Sequence, residues 1–94
     1  MKYIFIPRWI EIFYLLYKGI KVSRIWKHTN CTYQYPYAVI KELEFYGLIY
    51  SLKSNRIKKI IITEQGLKLI KNIEPMLKLL SKMGVKSRIK NRKI

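Results

Sequence analysis

The fold is decided by residues 21–63, with the sequence KVSRIWKHTNCTYQYPYAVIKELEFYGLIYSLKSNRIKKIIIT. Apolar residues recur three or four apart from Val22 to Thr29, which predicts a helix with one apolar side. Asn30 and Cys31 interrupt this spacing. The segment therefore begins with a short helix that ends in a turn.

A second helix is predicted after this turn. Thr32 is a candidate N-cap because its hydroxyl can accept a backbone N–H bond. Gly47 is expected to end the helix as a C′ glycine in the left-handed conformation. The residues at helical spacing, and therefore expected to be buried, are Pro36, Val39, Ile40, Leu43 and Tyr46.

Two short strands are predicted to follow. Residues 48–50 form the first, residues 53–56 form a polar turn and residues 57–62 form the second. Two helices joined by a turn and followed by a basic hairpin predict an α+β fold, the winged helix-turn-helix with a two-stranded wing.

The segment before this motif predicts one more helix, over residues 8–18, which Gly19 ends. One apolar side is expected to consist of Trp9, Ile12, Phe13 and Leu16. A second apolar side consists of Ile10, Tyr14 and Tyr17. A single small core does not need both sides, so the second is a candidate dimer contact.

The segment after the hairpin predicts a last helix over residues 63–84. Thr63 is its expected N-cap and Gly84 its end. Pro75 is expected to kink the helix or divide it into two. Together with the second side of the first helix, its apolar stripe predicts a dimer interface of Ile10, Tyr14, Tyr17, Leu67, Ile70, Leu77, Leu80 and Met83. Residues 1–84 are thus one domain, and residues 85–94 are a basic tail.

The charge indicates a polyanionic partner. The 94 residues include 20 Lys and Arg against 5 Asp and Glu, a net charge of +15. A net charge of this size is typical of proteins with a polyanionic partner. Nucleic acid is the first candidate, an anionic membrane the second and an acidic protein the third. No apolar run approaches the roughly 20 residues that span a bilayer, and no signal peptide is evident. We therefore expect a cytoplasmic protein.

Three short motifs resemble small regulators of the MarR-, PadR- and ArsR-like families. Residues 22–25 are similar to their "VSEIA", residues 37–49 to their "SKHLKELEELGLV", and residues 62–66 to their "LTEKG". The resemblance implies a homodimeric, DNA-binding transcription regulator. The chain departs from the families at Trp26, where they have Ala, and at Pro36.

The composition is rich in Ile and Lys and poor in Ala. This composition is similar to that of small winged-helix proteins of crenarchaeal viruses or archaea. An AT-rich genome produces such a bias. For a viral protein, the expected location is the host cytoplasm.

The N-terminal part of the second helix is the predicted base-reading element. In a helix-turn-helix these residues meet base edges in the major groove. The residues left exposed by the predicted buried side are Tyr33, Gln34, Tyr35, Tyr37, Ala38 and Lys41. Glutamine can pair with adenine and lysine can reach guanine or phosphate, while tyrosine can contact phosphate or thymine methyls. The alternative is that the tyrosines belong to the core or to a dimer contact.

The hairpin and the first helix of the motif are predicted to contact the DNA backbone or minor groove. The candidate residues are Arg24, Lys27, Lys53, Ser54, Asn55, Arg56 and Lys58. The alternative is an ordinary solvated charged surface.

The sequence contains no set of residues typical of a catalytic site or a metal site. His28 and Cys31 are the only histidine and cysteine, and no metal-ligand spacing, paired carboxylates or nucleophile triad is evident. Cys31 is expected to be a small apolar residue, with redox sensing as the alternative.

We therefore expect no enzyme, no cofactor and no small-molecule ligand, and double-stranded DNA and a second copy of the chain as partners. The functional alternatives are a non-specific architectural DNA-binding protein, an RNA-binding protein and an amphipathic protein on an anionic membrane.

Overall fold

Three helices precede a β-hairpin, and a fourth helix follows it. The computed structural model describes residues 6–29, 31–54 and 57–84. Within these ranges the elements are α1 (Arg8–Tyr17), α2 (Val22–Thr29), α3 (Tyr35–Phe45), β1 (Ile49–Ser54), β2 (Ile57–Ile62) and α4 (Glu64–Lys82). The two strands form an antiparallel sheet in which Ile49 pairs with Ile62 and Ser54 with Ile57. The predicted α+β class is confirmed, and the order of elements is compatible with a winged helix.

The core lies where α1 packs against α2, α3 and α4. Each element except β2 contributes at least one fully buried apolar residue, and β2 adds the half-buried Ile60 and Ile62. The core residues are Ile12, Phe13, Leu15, Ile25, Val39, Ile40, Leu43, Ile49, Ile70 and Ile73. Burying one such side chain stabilises the fold by about 1.5–3 kcal/mol, so these residues are the main stabilising set.

The buried side of α1 differs from the predicted one. Glu11 and Leu15 are buried, whereas Leu16 is half-buried and Trp9 is 41% exposed. The reason is that α1 contacts three other helices, so burial extends around more of its circumference than one stripe. Glu11 lies in the first turn, where the positive helix end favours a carboxylate.

The start of α3 also differs from the prediction. Thr32 does not cap the helix with its side chain, because its carbonyl, not its hydroxyl, accepts the N–H of Tyr35 at 3.3 Å. Gln34 is the N-cap, without a side-chain bond. A capping hydroxyl bonds the second or third N–H of a helix, and Pro36 removes one of these donors.

The end of α3 is a Schellman motif, as Gly47 predicted. Gly47 has a φ of 75° and its N–H bonds the carbonyl of Glu44, while the Leu48 N–H bonds that of Leu43. Tyr46 was expected to be buried, but it is 66% exposed because the helix already ends at Phe45. Lys53 and Ser54 were predicted in the turn and instead belong to β1.

Helix α4 is continuous through Pro75, so of the two predicted effects, a kink or a division, the division is wrong. Pro75 is exposed, so water can replace the hydrogen bond that its nitrogen cannot donate. Thr63 is the N-cap, as predicted, since its hydroxyl oxygen accepts the Gly66 N–H at 3.0 Å. In the described residues no helix is long and apolar enough to cross a bilayer.

Gly66 allows α4 to pack directly on the hairpin. A Cβ at this position would clash with the carbonyl oxygen of Leu48 and lie 2.7 Å from the Cγ2 atom of Ile62. Neither neighbour is the far end of a flexible side chain, so the helix and hairpin would have to separate.

We expect Gly66→Ala to lower the free energy of unfolding by about 1–3 kcal/mol. The reason is that the destabilisation by overpacking exceeds the stabilisation from the higher helix propensity of alanine. Urea denaturation followed by circular dichroism measures this. Lys71→Ala, at an exposed site on the same helix, is the control and should change stability by less than about 0.5 kcal/mol. Equal stability of Gly66→Ala and the parent would show that the contact is not tight.

Candidate nucleic-acid interface

The predicted base-reading residues are all exposed. Val39, Ile40 and Leu43 anchor one side of α3 in the core, so the remaining sides face outward. Tyr33 and Gln34 lie in the turn before the helix, not on it. The exposed set is Tyr33, Gln34, Tyr35, Tyr37, Ala38 and Lys41.

These residues do not form a single surface. Successive residues of a helix are about 100° apart, which places Tyr35 almost opposite Tyr37. Gln34, Tyr37 and Lys41 share the outward side, at spacings of three and four residues. Tyr35 and Ala38 instead line a groove shared with Trp9. The candidate interface therefore consists of the side with Tyr37 and Lys41.

An aromatic cluster, formed by Trp26, Tyr33 and Tyr37, connects α2, the turn and α3. The ring centroids of Trp26 and Tyr33 are 6.1 Å apart, and those of Tyr33 and Tyr37 are 5.6 Å apart. The two tyrosine hydroxyl oxygens are 3.4 Å apart. The Nζ atom of Lys27 lies 5.6 Å from the Trp26 ring, within range of a cation–π contact.

The hydroxyl pair determines the ionisation of Tyr37. The side-chain hydrogen bond with Tyr33, followed by burial and charge repulsion from Tyr33, raises the pKa of Tyr37 above its ordinary value of 10.0. Tyr37 therefore stays neutral at physiological pH. A neutral hydroxyl can donate to a phosphate oxygen, which a phenolate cannot.

The structure describes only some of the residues that were predicted to contact the DNA backbone or minor groove. Arg24, Lys27 and Lys53 are exposed. Asn55 and Arg56 lie outside the described residues, as do the side chains of Ser54 and Lys58. Lys59 is also exposed, on β2 opposite Leu52. The hairpin thus exposes lysine on both strands.

Acidic residues occupy the C-terminal half of α3. Glu42 and Glu44 are exposed, and the Glu44 carboxylate accepts a 3.0 Å hydrogen bond from the Ser51 hydroxyl. Carboxylates oppose contact with phosphate. Close approach to DNA is therefore compatible with the N-terminal half of α3, which contains no acid.

Two exposed features were missed by the sequence analysis. Phe45 is 81% exposed near the end of α3. Four exposed lysines, at intervals of three, seven and four residues, form a row on α4: Lys68, Lys71, Lys78 and Lys82. Helical spacing of the lysines could have identified this row, and the periodicity of α3 could have placed Phe45, four residues after Lys41, on the outward side.

The predicted dimer residues have three different environments. Ile70 is buried in the core of the single chain, so its assignment to an exposed dimer surface is wrong. Ile10, Tyr14 and Leu77 are half-buried against the same core, and Leu80 is half-buried as well. Tyr17, Leu67 and Met83 are exposed, at 38%, 43% and 69%. The chain also exposes Met76 and Leu79, which the prediction omitted.

The single histidine, His28, lies in the last turn of α2, and the single cysteine, Cys31, lies in the turn that follows. Both are half-buried, and the Cys31 sulfur is 3.1 Å from the Thr29 hydroxyl oxygen. Among the described residues, no group of three or more His, Cys, Asp or Glu side chains could hold a metal ion.

No protein-family model matches the chain, and no curated protein sequence matches it.

We expect Tyr37 to titrate above pH 10, and the Tyr33→Phe substitution to lower its midpoint towards the ordinary value of about 10. The physical reason is that Phe cannot hydrogen-bond to the Tyr37 hydroxyl. NMR of ring-labelled tyrosine, with Tyr37 assigned through Tyr37→Phe, measures the midpoint. Trp26→Phe is the control, because it keeps the hydroxyl pair. An unchanged midpoint in Tyr33→Phe would contradict the proposed pairing.

Proposed function

We propose that the protein is a winged helix-turn-helix protein that binds specific sequences of double-stranded DNA as a homodimer and regulates transcription. Helix α3 is the recognition helix, and the β1–β2 hairpin is the wing. The observation that supports this most is the acid-free stretch from the turn before α3 to the middle of that helix, which presents Gln34, Tyr37 and Lys41 to solvent.

The chemistry of this surface fits the major groove. Gln34 can make two hydrogen bonds to an adenine, and Lys41 can donate to guanine or phosphate. The aromatic cluster fixes the orientation of Tyr33 and Tyr37, so little side-chain entropy remains to be lost when their edges contact thymine methyls or phosphates. Arg24 and Lys27 lie on the helix that crosses the backbone in such complexes.

The charge of the protein supports a nucleic-acid partner. The protein has a net charge of +15, so its basic side chains repel one another. Nearby phosphates would attract these side chains, and the counterions released from the nucleic acid would add to the affinity. Regulation then follows from occupancy of a promoter in the cytoplasm. No catalytic step is part of this proposal.

The dimer is proposed to form through the second half of α4. Met76, Leu79 and Met83 are exposed and three or four residues apart, so they form one apolar strip. A two-fold partner would cover this strip and would separate two recognition helices by about 34 Å, one turn of DNA.

One observation favours non-specific, architectural DNA binding as a second candidate. The lysine row of α4 lies on a helix outside the proposed reading surface, and it can contact phosphates but distinguishes no bases. A protein that coats DNA would use this row as much as α3.

Selection of duplexes from a random pool, at about 150 mM salt where non-specific attraction is screened, separates the two candidates. We expect a few related sequences to be selected. Gln34→Ala, Tyr37→Ala and Lys41→Ala should each reduce discrimination at particular base pairs by about 1–3 kcal/mol.

Lys59→Ala on the hairpin should weaken binding to all duplexes alike, since phosphate contacts are insensitive to sequence. Lys71→Ala removes the same charge from α4 and is the matched control. If Lys71→Ala and Lys41→Ala have the same effect on every duplex, or if no sequence is selected, the regulator proposal is wrong and architectural binding is favoured.

The dimer prediction uses Leu79→Glu combined with Met83→Glu. Both side chains are exposed in the single chain, so the fold should remain intact while buried, unpaired carboxylates prevent association. Sedimentation at micromolar concentration should show a dimer for the parent and a monomer for the variant. Lys78→Glu with Lys82→Glu, also on α4 but outside the strip, is the charge control, and a monomeric parent would contradict the prediction.

A further inference from the structure

An apolar groove of about 600 Å³ runs along α3, on the flank almost opposite Tyr37. Its volume lies within the range of sites that bind small molecules. Its lining side chains come from α1, from α3 and from the residues between α3 and β1. They include Trp9, Tyr35, Ala38, Glu42, Tyr46 and Leu48.

The walls of the groove are aromatic and partly exposed. Trp9, Tyr35 and Tyr46 are 41%, 37% and 66% exposed, whereas Val39 and Leu43 below them belong to the core. Three large aromatic side chains around one concave surface are more than the core of this chain requires. An exposed apolar patch of this kind marks a binding site more often than an accident of packing.

The charge of the groove specifies the class of ligand. Glu42 is the only ionisable acid or base among the described lining residues apart from the tyrosines, and its carboxylate has no hydrogen-bond or ion-pair partner in the described part of the chain. Aromatic faces attract cations. The Arg8 guanidinium lies over the Tyr35 ring, 5.7 Å from its centroid, so this ring is within cation–π range of a positive charge.

From these observations we propose that the groove binds a small organic cation with an apolar, aromatic body. The body packs against Trp9, Tyr35 and Tyr46, and the positive charge lies near the Glu42 carboxylate. A neutral analogue of the same shape would lose the electrostatic attraction to Glu42. No small-molecule ligand was predicted from the sequence, because the groove forms only when Trp9 is brought beside α3.

Ligand binding would be coupled to DNA through α3, because one helix forms the wall of the groove and the proposed reading surface. This coupling rests on the proposed function, whereas ligand binding itself does not. If both hold, the cation changes DNA affinity and DNA changes cation affinity by the same factor.

Tetraphenylphosphonium is a suitable test cation, and the neutral triphenylphosphine oxide is its control. The background for the measurement is Trp26→Phe, which leaves Trp9 as the only tryptophan and its fluorescence as the signal. Titration without DNA should give saturable quenching by the cation and weaker binding of the neutral compound.

Two matched variants test the role of charge. Glu42→Gln should weaken cation binding about three- to fivefold, the effect of losing one exposed ion pair. Glu44→Gln removes the same charge from the same helix, but Glu44 is bonded to Ser51 and is not among the lining residues, so binding should not change. Calorimetry of Trp9→Leu, in which the tryptophan signal is absent, should show a loss of about tenfold or more.

Three results would overturn the proposal: equal binding of the cation and the neutral compound, equal effects of Glu42→Gln and Glu44→Gln, or no saturation. Binding that appears only after residues 1–5 are removed would assign the groove to the N-terminal segment of the chain and would overturn it as well. Cation binding without an effect on DNA would leave the groove assignment standing and reject only the coupling.

Discussion

The junction of Gly47, Leu48, Thr63 and Gly66 holds the end of α3, both ends of the hairpin and the start of α4 together. The Thr63 hydroxyl donates to the Gly47 carbonyl at 2.6 Å and accepts from the Gly66 N–H at 3.0 Å. The Thr63 N–H bonds the Leu48 carbonyl at 3.1 Å. Since Gly66 has no side chain, α4 lies directly on this carbonyl. The hairpin therefore has a defined position relative to α3 without a third strand in the described residues.

Helix α3 presents two chemically different flanks. On one flank, the Tyr37 and Tyr33 hydroxyls pair beside Trp26. On the other, Tyr35 and Glu42 line an apolar groove beside Trp9. A change in the position of α3 would alter both surfaces together, because the helix is anchored in the core through the residues between them. This shared anchor is the physical basis for the proposed coupling of a groove ligand to DNA.

Charge acts over the whole surface, whereas packing acts only at contacts. With 20 basic and 5 acidic residues, the chain repels itself at every separation within the screening length. Glu42 and Glu44, two of the five acids, lie on α3. Their position in the C-terminal half of the helix confines the region suited to phosphate contact to the N-terminal half. The few acids thus restrict the proposed interface more than the many lysines do.

Local chemistry accounts for what was predictable from the amino-acid sequence. Gly47 ends α3 because glycine tolerates a positive φ, and Thr63 caps α4 because its hydroxyl can reach the Gly66 N–H. The two strands follow from short-range patterns of the same kind, although β1 extends to Ser54 and so includes two residues that were predicted in the turn. The exposure of Tyr37 and Lys41 also follows from helical periodicity, since the apolar residues of α3 determine which side remains outside.

Only the tertiary structure determined which apolar residues are core and which are surface. Leu15 and Ile70 are buried, while Trp9, Tyr46 and Met83 are exposed, although their apolar character is similar. The difference depends on how many neighbouring elements reach each position, and periodicity within one helix contains no information about them. The same holds for the groove, since its walls, Trp9 and Tyr46, are 37 positions apart in the chain and meet only through the packing of α1 against α3.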